Sequence, residues 1–467
     1  MQNFGTDGIR GKAEQFTPEF LAKIIRGLVD YADRDDFKIF LAGDIRESSE
    51  WIIRDLETAC ETFGVEFSSA GVLPTPAINF CFAKMGFDFA IDVTASHNPF
   101  TDNGIKVFEL GSDGRGQKLS EEGRAKIEAS LKTNISYSPV ALSDRADISL
   151  DAQELYKEHL EDYLSSISDF INNSNDETSN VAESTDNKNS ASNLPDFHGL
   201  HLGMDCANGA TSVINKSIFE KLGANVELIN CCKNYNTKIN KDCGSTHLES
   251  LRKLVLEQHL DFGVAFDGDG DRALMIDETG AEVDGDHLVA ILTDFLKLNS
   301  LAVTVMANQG LLNWAESENL KLEITPVGDI NIAAAMLAGK AKIGSEQNGH
   351  LIPPGQTSGD GMLTALLITK VISETKKSLH ELAAIIKKLP QITINIPADP
   401  AQKENLNSTA TKELLSTYDE KLKAEKGRLL VRPSGTENLI RITMWGESEE
   451  FIKNLIEELK IKLGEIL

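Results

Sequence analysis

The sequence predicts an α/β protein with three related mixed α/β domains and a smaller C-terminal α+β domain, whose loops meet around a central cleft. Strand-like and helix-like segments alternate along most of the chain, which is typical of α/β folds. A short strand motif occurs at three places, which indicates related domains. The 467 residues are too many for one hydrophobic core and suit three or four domains of about 100–150 residues each.

The first alternation of helix and strand begins near the N-terminus. Pro18 opens a helix that reaches about Tyr31, since proline is favoured in the first helical turn. Residues 38–42 are predicted to form a strand and residues 50–63 a helix. We therefore expect a largely parallel sheet here. Polar residues such as Arg46 then lie at the carboxyl ends of its strands, where open α/β sheets bind ligands.

The repeated motif is a short buried strand that runs into a polar loop. Residues 87–91 (FDFAI) resemble residues 260–264 (LDFGV), and this alignment places Ser96 level with Asp269. Residues 341–344 form a third, weaker copy. We expect each copy to deliver one loop to the shared cleft.

Composition and periodicity mark the remaining divisions of the chain. From about residue 165 to residue 196, Asn, Ser, Asp, Glu and Thr dominate, which predicts a disordered linker or insert. Residues 428–431 and 440–442 are predicted strands, and the segment after Ser448 has apolar residues at helical spacing. The predicted divisions are domain 1 at 1–164, the disordered insert at 165–198, domain 2 at 199–288, domain 3 at 289–390 and domain 4 at 391–467.

The formal net charge of −26 narrows the range of partners. A strongly acidic surface repels nucleic acid and anionic lipid, so we expect neither nucleic acid nor a membrane as a partner. An anionic substrate would need a local group of cations. The N-terminus shows no basic stretch followed by an apolar one, and the six cysteines lack C-x-x-C spacing. Both observations predict a cytoplasmic protein with reduced thiols.

The most specific local pattern is the run DGDGD at residues 267–271. Alternate carboxylates can converge on one hard cation while the glycines let the backbone curl. EF-hands share this spacing, but Arg272 stands where that loop needs glycine, and the flanking segments look like strands rather than helices. Asp267, Asp269 and Asp271 are therefore predicted to bind Mg²⁺ with positions left for phosphate oxygens, and Arg272 to clamp a phosphate or substrate beside the metal.

Three further loops carry groups suited to catalysis or ligand binding, and each also has a simpler structural interpretation. Ser96 lies in a polar turn after a buried strand, where it can react or can bond its own backbone; no G-x-S-x-G motif supports a hydrolase triad. Residues 432–436 (RPSGT) can cradle a phosphate or form an ordinary Ser/Thr turn. Glu346, Asn348 and His350 offer donors and acceptors for sugar hydroxyls, although that signal alone is weak.

Together these loops resemble one family, the α-D-phosphohexomutases, over nearly the whole chain. The matching motifs are residues 4–11 (FGTDGIRG), 94–108 (TASHNPFTDNGIKVF), 205–210 (DCANGA), 239–247 (INKDCGSTH), 266–272 (FDGDGDR), 283–286 (VDGD), 346–350 (EQNGH), 359–361 (GDG) and 432–437 (RPSGTE). Several loops in the right order make the resemblance specific. The motifs at 205–210 and 239–247 favour the branch that acts on amino sugars, although Asn348 stands where that branch usually has serine.

The resemblance implies an isomerase that interconverts glucosamine 6-phosphate and glucosamine 1-phosphate through a bound 1,6-bisphosphate. Such a reaction belongs to amino-sugar metabolism and supplies precursors for cell-wall synthesis. The resemblance also implies that Ser96 is phosphorylated for activity and holds one Mg²⁺ together with Asp267, Asp269 and Asp271. The expected partner is a small-molecule sugar phosphate, and the sequence is compatible with an oligomer.

The resemblance also gives roles to the remaining residues. The transfer site would be lined by cationic and imidazole side chains, namely Arg10, His97, Lys106 and Arg272, with Lys106 as the proton shuttle. The sugar would contact Glu346, Asn348 and His350. The phosphate that is not being transferred would bind Arg432, Ser434, Gly435 and Thr436. Two alternatives stay open: a phosphoglucomutase or phosphomannomutase, and a non-catalytic protein that binds Ca²⁺ or a sugar phosphate.

Overall fold

Four β-sheets form the framework of the chain within the described residues. The structure is a computed structural model that describes residues 4–5, 7–34, 36–143, 146–173, 194–434 and 438–466. None of the described helices is both long enough and apolar enough to cross a lipid bilayer.

The first sheet shows where the expectation of a largely parallel arrangement was wrong. Its region contains β1 (Ile9–Lys12), α1 (Pro18–Ala32), β2 (Lys38–Gly43), α2 (Glu47–Phe63), β3 (Glu66–Val72), α3 (Thr75–Lys84), β4 (Phe89–Val93), β5 (Asp102–Leu110), β6 (Gly116–Lys118) and α4 (Glu121–Lys132). The strand order is β1-β5-β4-β2-β3, with β6 beside β5. Strands β2, β3 and β4 pair in parallel, whereas β1, β5 and β6 join antiparallel. Residues 94–101 between β4 and β5 are too few for the crossover of about a dozen residues that a parallel pair needs.

The second and third sheets repeat the pattern of the first. After α5 (Ser149–Asn173), the second region contains β7 (His201–Asp205), α6 (Ser217–Lys221), β8 (Asn225–Ile229), α7 (Glu249–Gln258), β9 (Phe262–Phe266), β10 (Ala273–Asp277) and β11 (Glu282–Val283). The third contains α8 (Gly285–Phe295), β12 (Ser300–Thr304), α9 (Gln309–Ser317), β13 (Lys321–Thr325), α10 (Asp329–Leu337), β14 (Ile343–Ser345), β15 (Leu351–Ile352), α11 (Gly361–Thr375) and α12 (Leu379–Ala383). The orders β8-β7-β9-β10 and β13-β12-β14-β15 match β3-β2-β4-β5 in both neighbours and directions. The prediction of three related domains is therefore confirmed.

Most individual elements agree with the sequence patterns. Helix α1 begins at Pro18, where the side chain of Thr17 caps it. Helix α2 begins at Glu47, three residues before the predicted start. The apolar residues at 302–306 predict a strand, and the strand present there runs from Ser300 to Thr304. The strands that flank the aspartate loop are present as β9 and β10, which agrees with the argument against an EF-hand.

Helix α5 ties the first region to the third. The hydroxyl of Tyr156 lies 2.9 Å from both carboxylate oxygens of Asp360, and the hydroxyl of Tyr163 donates to the carbonyl of Pro354 at 2.8 Å. The disordered insert is predicted to start at residue 165, but α5 continues to Asn173 and buries Ile167, because its apolar spacing continues past Leu164. Residues 174–193 of that insert lie outside the described residues.

The last region has a hydrophobic core of its own. It contains β16 (Gln391–Pro397), α13 (Pro400–Asn405), α14 (Thr409–Lys423), β17 (Arg428–Pro433), β18 (Leu439–Trp445) and α15 (Glu449–Ile466). The strand order is β16-β18-β17, with both pairs antiparallel. Helix α15 buries the apolar stripe expected from the sequence. This is the predicted α+β arrangement.

The packing of α1 against α4 makes a testable demand on Gly27. A methyl group at Gly27 would lie 2.6 Å from the backbone Cα of Ile127. We expect Gly27→Ala to lower the melting temperature by several degrees, since overpacking costs about 1–3 kcal/mol and exceeds the gain of about 1 kcal/mol in helix propensity. Calorimetry measures this change. Gly464→Ala in α15 is the matched control, because, outside the backbone of α15 itself and the two neighbouring residues, no described residue has an atom within 4 Å of the added methyl. Equal melting temperatures for both variants would contradict the close packing.

Candidate active site

Ser96 lies in the turn after β4, three residues beyond the last residue of that strand. Its side chain is almost fully buried, and its hydroxyl donates to Oδ2 of Asp267 at 2.7 Å. Oγ of Ser96 also lies 3.2 Å from Nδ1 of His97. The structure therefore brings the predicted nucleophile of the first domain to the predicted metal ligands of the second.

Asp267, Asp269 and Asp271 lie on the loop between β9 and β10, and all three are buried. One carboxylate oxygen of each lies within 4.8 Å of the others. Burial raises the pKa of Asp267 well above its usual range, with Asp269 and Asp271 adding to the effect. Oδ1 of Asp269 and Oδ1 of Asp271 accept no hydrogen bond from the described residues. Buried carboxylate oxygens this close together, two of them without a hydrogen bond from the described residues, fit a hard divalent cation such as Mg²⁺.

Lys106 on β5 supplies the counter-charge to this cluster. Its ammonium donates to Oδ2 of Asp269 at 2.8 Å and to Oδ2 of Asp271 at 3.1 Å. Burial alone would lower the pKa of Lys106, but the carboxylates outweigh it and raise that pKa well above its usual range. In this arrangement Lys106 is charged, and its ammonium donates hydrogen bonds to the neighbouring carboxylates.

His97 and Arg272 form a second contact between the two domains. Nη1 of Arg272 lies 3.0 Å from Nδ1 of His97, so the imidazole nitrogen accepts from the guanidinium. Burial, reinforced by Arg272 and Arg10, lowers the pKa of His97 to about 4. His97 is therefore neutral near pH 7 and leaves Arg272 to carry the positive charge beside the aspartates.

Arg10 contacts a residue that the sequence analysis missed, the carboxylate of Asp7. Nζ of Lys118 lies 2.5 Å from Asp7, Nζ of Lys106 lies 3.7 Å from it, and the guanidinium of Arg10 pairs with it as well. Lys118 also pairs with Asp329 of the third domain. Asp7 thus occupies the centre of a group of cations. Its position in a glycine-rich turn three residues before Arg10 was the available signal.

The predicted sugar-binding residues lie on the loop between β14 and β15. Asn348 donates through Nδ2 to Oε2 of Glu346 at 3.1 Å, and the backbone N–H of Gly328 donates to the other oxygen at 3.1 Å. Asn348 is exposed, whereas His350 is buried with Nδ1 3.6 Å from Oδ1 of Asp271. His350 therefore brings the third domain into contact with the loop of the second domain that carries Asp267, Asp269 and Asp271 (the metal loop).

Arg432 and Ser434 lie at the end of β17 in the last domain. Arg432 stands opposite Arg441 across the β17/β18 pair, and burial followed by the charge of Arg441 lowers the pKa of Arg432. Two adjacent guanidinium groups favour an anion nearby. Gly435 and Thr436, the other predicted phosphate ligands, lie outside the described residues.

Comparison with known proteins shows which family the chain belongs to. Four family models match the chain: phosphoglucomutase/phosphomannomutase alpha/beta/alpha domain I at residues 1–138, domain II at 178–280, domain III at 284–389, and the C-terminal domain at 368–462. The phosphoglucosamine mutase of Caldicellulosiruptor bescii is 37% identical, over 98% of this chain and 97% of that protein. The phosphoglucosamine mutase of Clostridium tetani is 36% identical, over 99% and 98%.

Solved structures share the fold at lower identity. A putative phosphomannomutase from Thermus thermophilus has a TM-score of 0.72 and 20% identity, over 99% of both chains. The N-acetylphosphoglucosamine mutase of Aspergillus fumigatus, crystallised with GlcNAc-6P and magnesium, has a TM-score of 0.63 and 16% identity, over 98% of this chain and 94% of that one.

The four domains and the serine beside three buried aspartates define a phosphohexomutase, an enzyme of the isomerase class. The chain belongs to the phosphoglucomutase/phosphomannomutase family, within the group formed by the phosphoglucosamine mutases. The predicted family and fold class are confirmed, and an enzyme replaces the alternative of a non-catalytic binding protein.

The position of Asp7 gives a prediction about anion affinity. If phosphate binds Arg10, Lys106 and Lys118, the Asp7 carboxylate competes for the same cations and repels it. Asp7→Asn should therefore tighten the binding of inorganic phosphate, by about three- to tenfold given the partial exposure of the group. Isothermal titration calorimetry measures this affinity. Asp30→Asn, which removes a surface partner of Arg26, is the control. Weaker phosphate binding by Asp7→Asn would mean that Asp7 orients the cations instead.

Proposed function

We propose that this enzyme interconverts glucosamine 6-phosphate and glucosamine 1-phosphate in the cytoplasm, through a phosphorylated Ser96 and a bound 1,6-bisphosphate. The observation that carries the proposal is the Ser96 hydroxyl 2.7 Å from Asp267, at the edge of a carboxylate cluster in which two oxygens accept no hydrogen bond from the described residues. The family and the relatives named phosphoglucosamine mutase support the choice of reaction.

The unmodified serine corresponds to the half-reaction in which a bisphosphate returns a phosphoryl group to the enzyme. In that step Ser96 Oγ forms a bond to phosphorus, and the bond from phosphorus to the sugar oxygen breaks. The proton of Ser96 passes to Oδ2 of Asp267, to which the hydroxyl already donates at 2.7 Å. Nζ of Lys106 donates a proton to the departing sugar oxygen. The reverse transfer uses the same groups with the protons exchanged.

The cations around Ser96 stabilise charge during transfer. A phosphoserine carries about −1.5 to −2 charges near pH 7. The positive charges of Arg10, Arg272 and Lys106 are fixed beside it and stabilise this negative charge electrostatically, without forming a covalent bond. Mg²⁺ held by Asp267, Asp269, Asp271 and the phosphoserine would supply further charge neutralisation. We assign the sugar to Glu346, Asn348 and His350, and the phosphate that is not transferred to Arg432, Ser434, Gly435 and Thr436. Release and rebinding at this distal site would present either end of the sugar to Ser96.

One observation favours a second substrate class. The Asn348 amide occupies one oxygen of Glu346 at 3.1 Å, so less of that carboxylate is available to a sugar amine. This favours glucose or mannose phosphates as alternative substrates. Coupled assays with glucosamine 1-phosphate, glucose 1-phosphate and mannose 1-phosphate separate the two classes. Much faster turnover of glucose 1-phosphate or mannose 1-phosphate would reverse the assignment.

The phosphoserine gives the most direct test. Ser96→Ala should lose all phosphoryl transfer, and glucose 1,6-bisphosphate should add one phosphoryl group to the wild-type chain but none to the variant. Intact-mass analysis with peptide mapping measures both. Ser317→Ala, a change at an exposed hydroxyl, should behave like the wild type. A phosphoryl group mapped to a residue other than Ser96, or an active Ser96→Ala enzyme, would remove the proposed mechanism.

Metal binding gives a test that does not depend on turnover. Mg²⁺ should raise the melting temperature of the chelator-treated wild type, because a ligand that binds only the folded state stabilises it. Asp271→Asn should shrink that rise, since it removes one charge from the cluster. Thermal denaturation at several Mg²⁺ concentrations measures the effect. Asp30→Asn should keep the full response, and an Asp271→Asn variant with an unchanged response would place the metal elsewhere.

A further inference from the structure

The backbone of Ser96 adopts a conformation that a serine rarely adopts. Its φ is +52°, in the left-handed region that costs a residue with a Cβ about 1–2 kcal/mol. This conformation directs the hydroxyl to Asp267. A strained position persists only where surrounding contacts hold it, so the groups that bind this turn determine where the nucleophile points.

Arg46 holds the turn from within the first domain. Its side chain is completely buried, and Nη2 donates to the carbonyl of Ser96 at 2.7 Å. Nη1 donates to the carbonyl of Pro99 at 2.6 Å, and Nε donates to Asp44 at 2.8 Å. The backbone N–H of Ser96 is bonded to Oγ1 of Thr94 at 2.9 Å. Both backbone polar groups of Ser96, its N–H and its carbonyl, are therefore hydrogen-bonded within the first domain.

Asn240 holds the same turn from the second domain. Its Nδ2 donates to the carbonyl of Ser96 at 2.8 Å and to the carbonyl of Asn98 at 3.1 Å. The approach depends on Gly268 in the metal loop, where a methyl group would lie 2.6 Å from the Ser96 carbonyl oxygen and 2.8 Å from Nδ2 of Asn240. The carbonyl of Ser96 thus accepts one bond from each domain, beside the metal loop.

We propose that Asn240 is a positioning residue for Ser96. Its amide completes the clamp that Arg46 begins, and so couples the orientation of the nucleophile to the docking of the second domain. Asn240 acts on the serine carbonyl and not on the sugar, so its loss should reduce the rate of transfer and leave substrate affinity unchanged. This inference rests on the proposed function of Ser96.

Two variants at one position test the proposal. Asn240→Asp keeps the size of the side chain but turns a carboxylate toward two carbonyl oxygens. Asn240→Gly removes the side chain and leaves room for water to donate. Both residues tolerate the φ of +57° at this position. We expect kcat to fall about 30- to 100-fold in Asn240→Asp and about three- to tenfold in Asn240→Gly, with KM within about twofold of the wild type. A packing role predicts the opposite order, because glycine removes more atoms.

A second readout and a matched control separate the outcomes. The rate at which glucose 1,6-bisphosphate phosphorylates Ser96, followed by intact mass, should fall in the same order as kcat. Asn215→Asp is the control, because Asn215 also has a left-handed backbone and donates to a carbonyl, that of Ser212, at 3.0 Å. A wild-type rate in Asn240→Asp, or a larger loss in Asn240→Gly, would overturn the positioning role while leaving the Ser96 mechanism intact. If the wild type itself never gains a phosphoryl group at Ser96, the proposed function fails first.

Discussion

The buried ammonium of Lys106 is the charge on which the rest of the site depends. Three carboxylates lie with oxygens within 4.8 Å of one another, away from bulk water. Such a cluster repels itself strongly unless a cation lies among the carboxylates. Lys106 reaches it from another domain, at 2.8 Å and 3.1 Å from two of the three residues. The same ion pairs therefore hold the first two domains together and keep the metal loop compact.

The cations proposed to bind phosphate are paired with carboxylates of the chain itself. Asp7 pairs with Arg10 and Lys118, and Asp329 shares Lys118 from the third domain. In a chain with a net charge of −26, cations grouped in this way are a local exception to the overall field. If phosphate binds at these cations, it replaces one anion by another, and the cations stay paired throughout.

The sequence was sufficient to predict site residues that lie close together in the chain. It was insufficient for residues whose role depends on a contact with a residue far away in the sequence. Asp267, Asp269 and Asp271 stand within five positions of one another, so their spacing alone indicated a cation site. Asp7 and Lys118 are 111 positions apart, and no local sequence pattern predicts their contact. The antiparallel half of the first sheet was missed for a similar reason, because helix and strand alternation does not encode the direction in which β5 returns. The predicted end of the first domain, residue 164, falls inside helix α5, because the polar composition that follows outweighed the apolar spacing that continues to Ile167.

The register of the three related sheets explains why these loops meet at all. Phe89, Phe262 and Ile343 occupy the same place in their sheets, paired with Ile39, Leu202 and Leu301 of the neighbouring parallel strand. The seventh residue after each is Ser96, Asp269 and His350 respectively. One position of the repeat therefore holds the proposed nucleophile in the first copy, an aspartate of the metal loop in the second and the histidine beside Asp271 in the third. Because each copy ends its strand at the cleft, divergence at a single repeated position is enough to place three different chemical groups around one site.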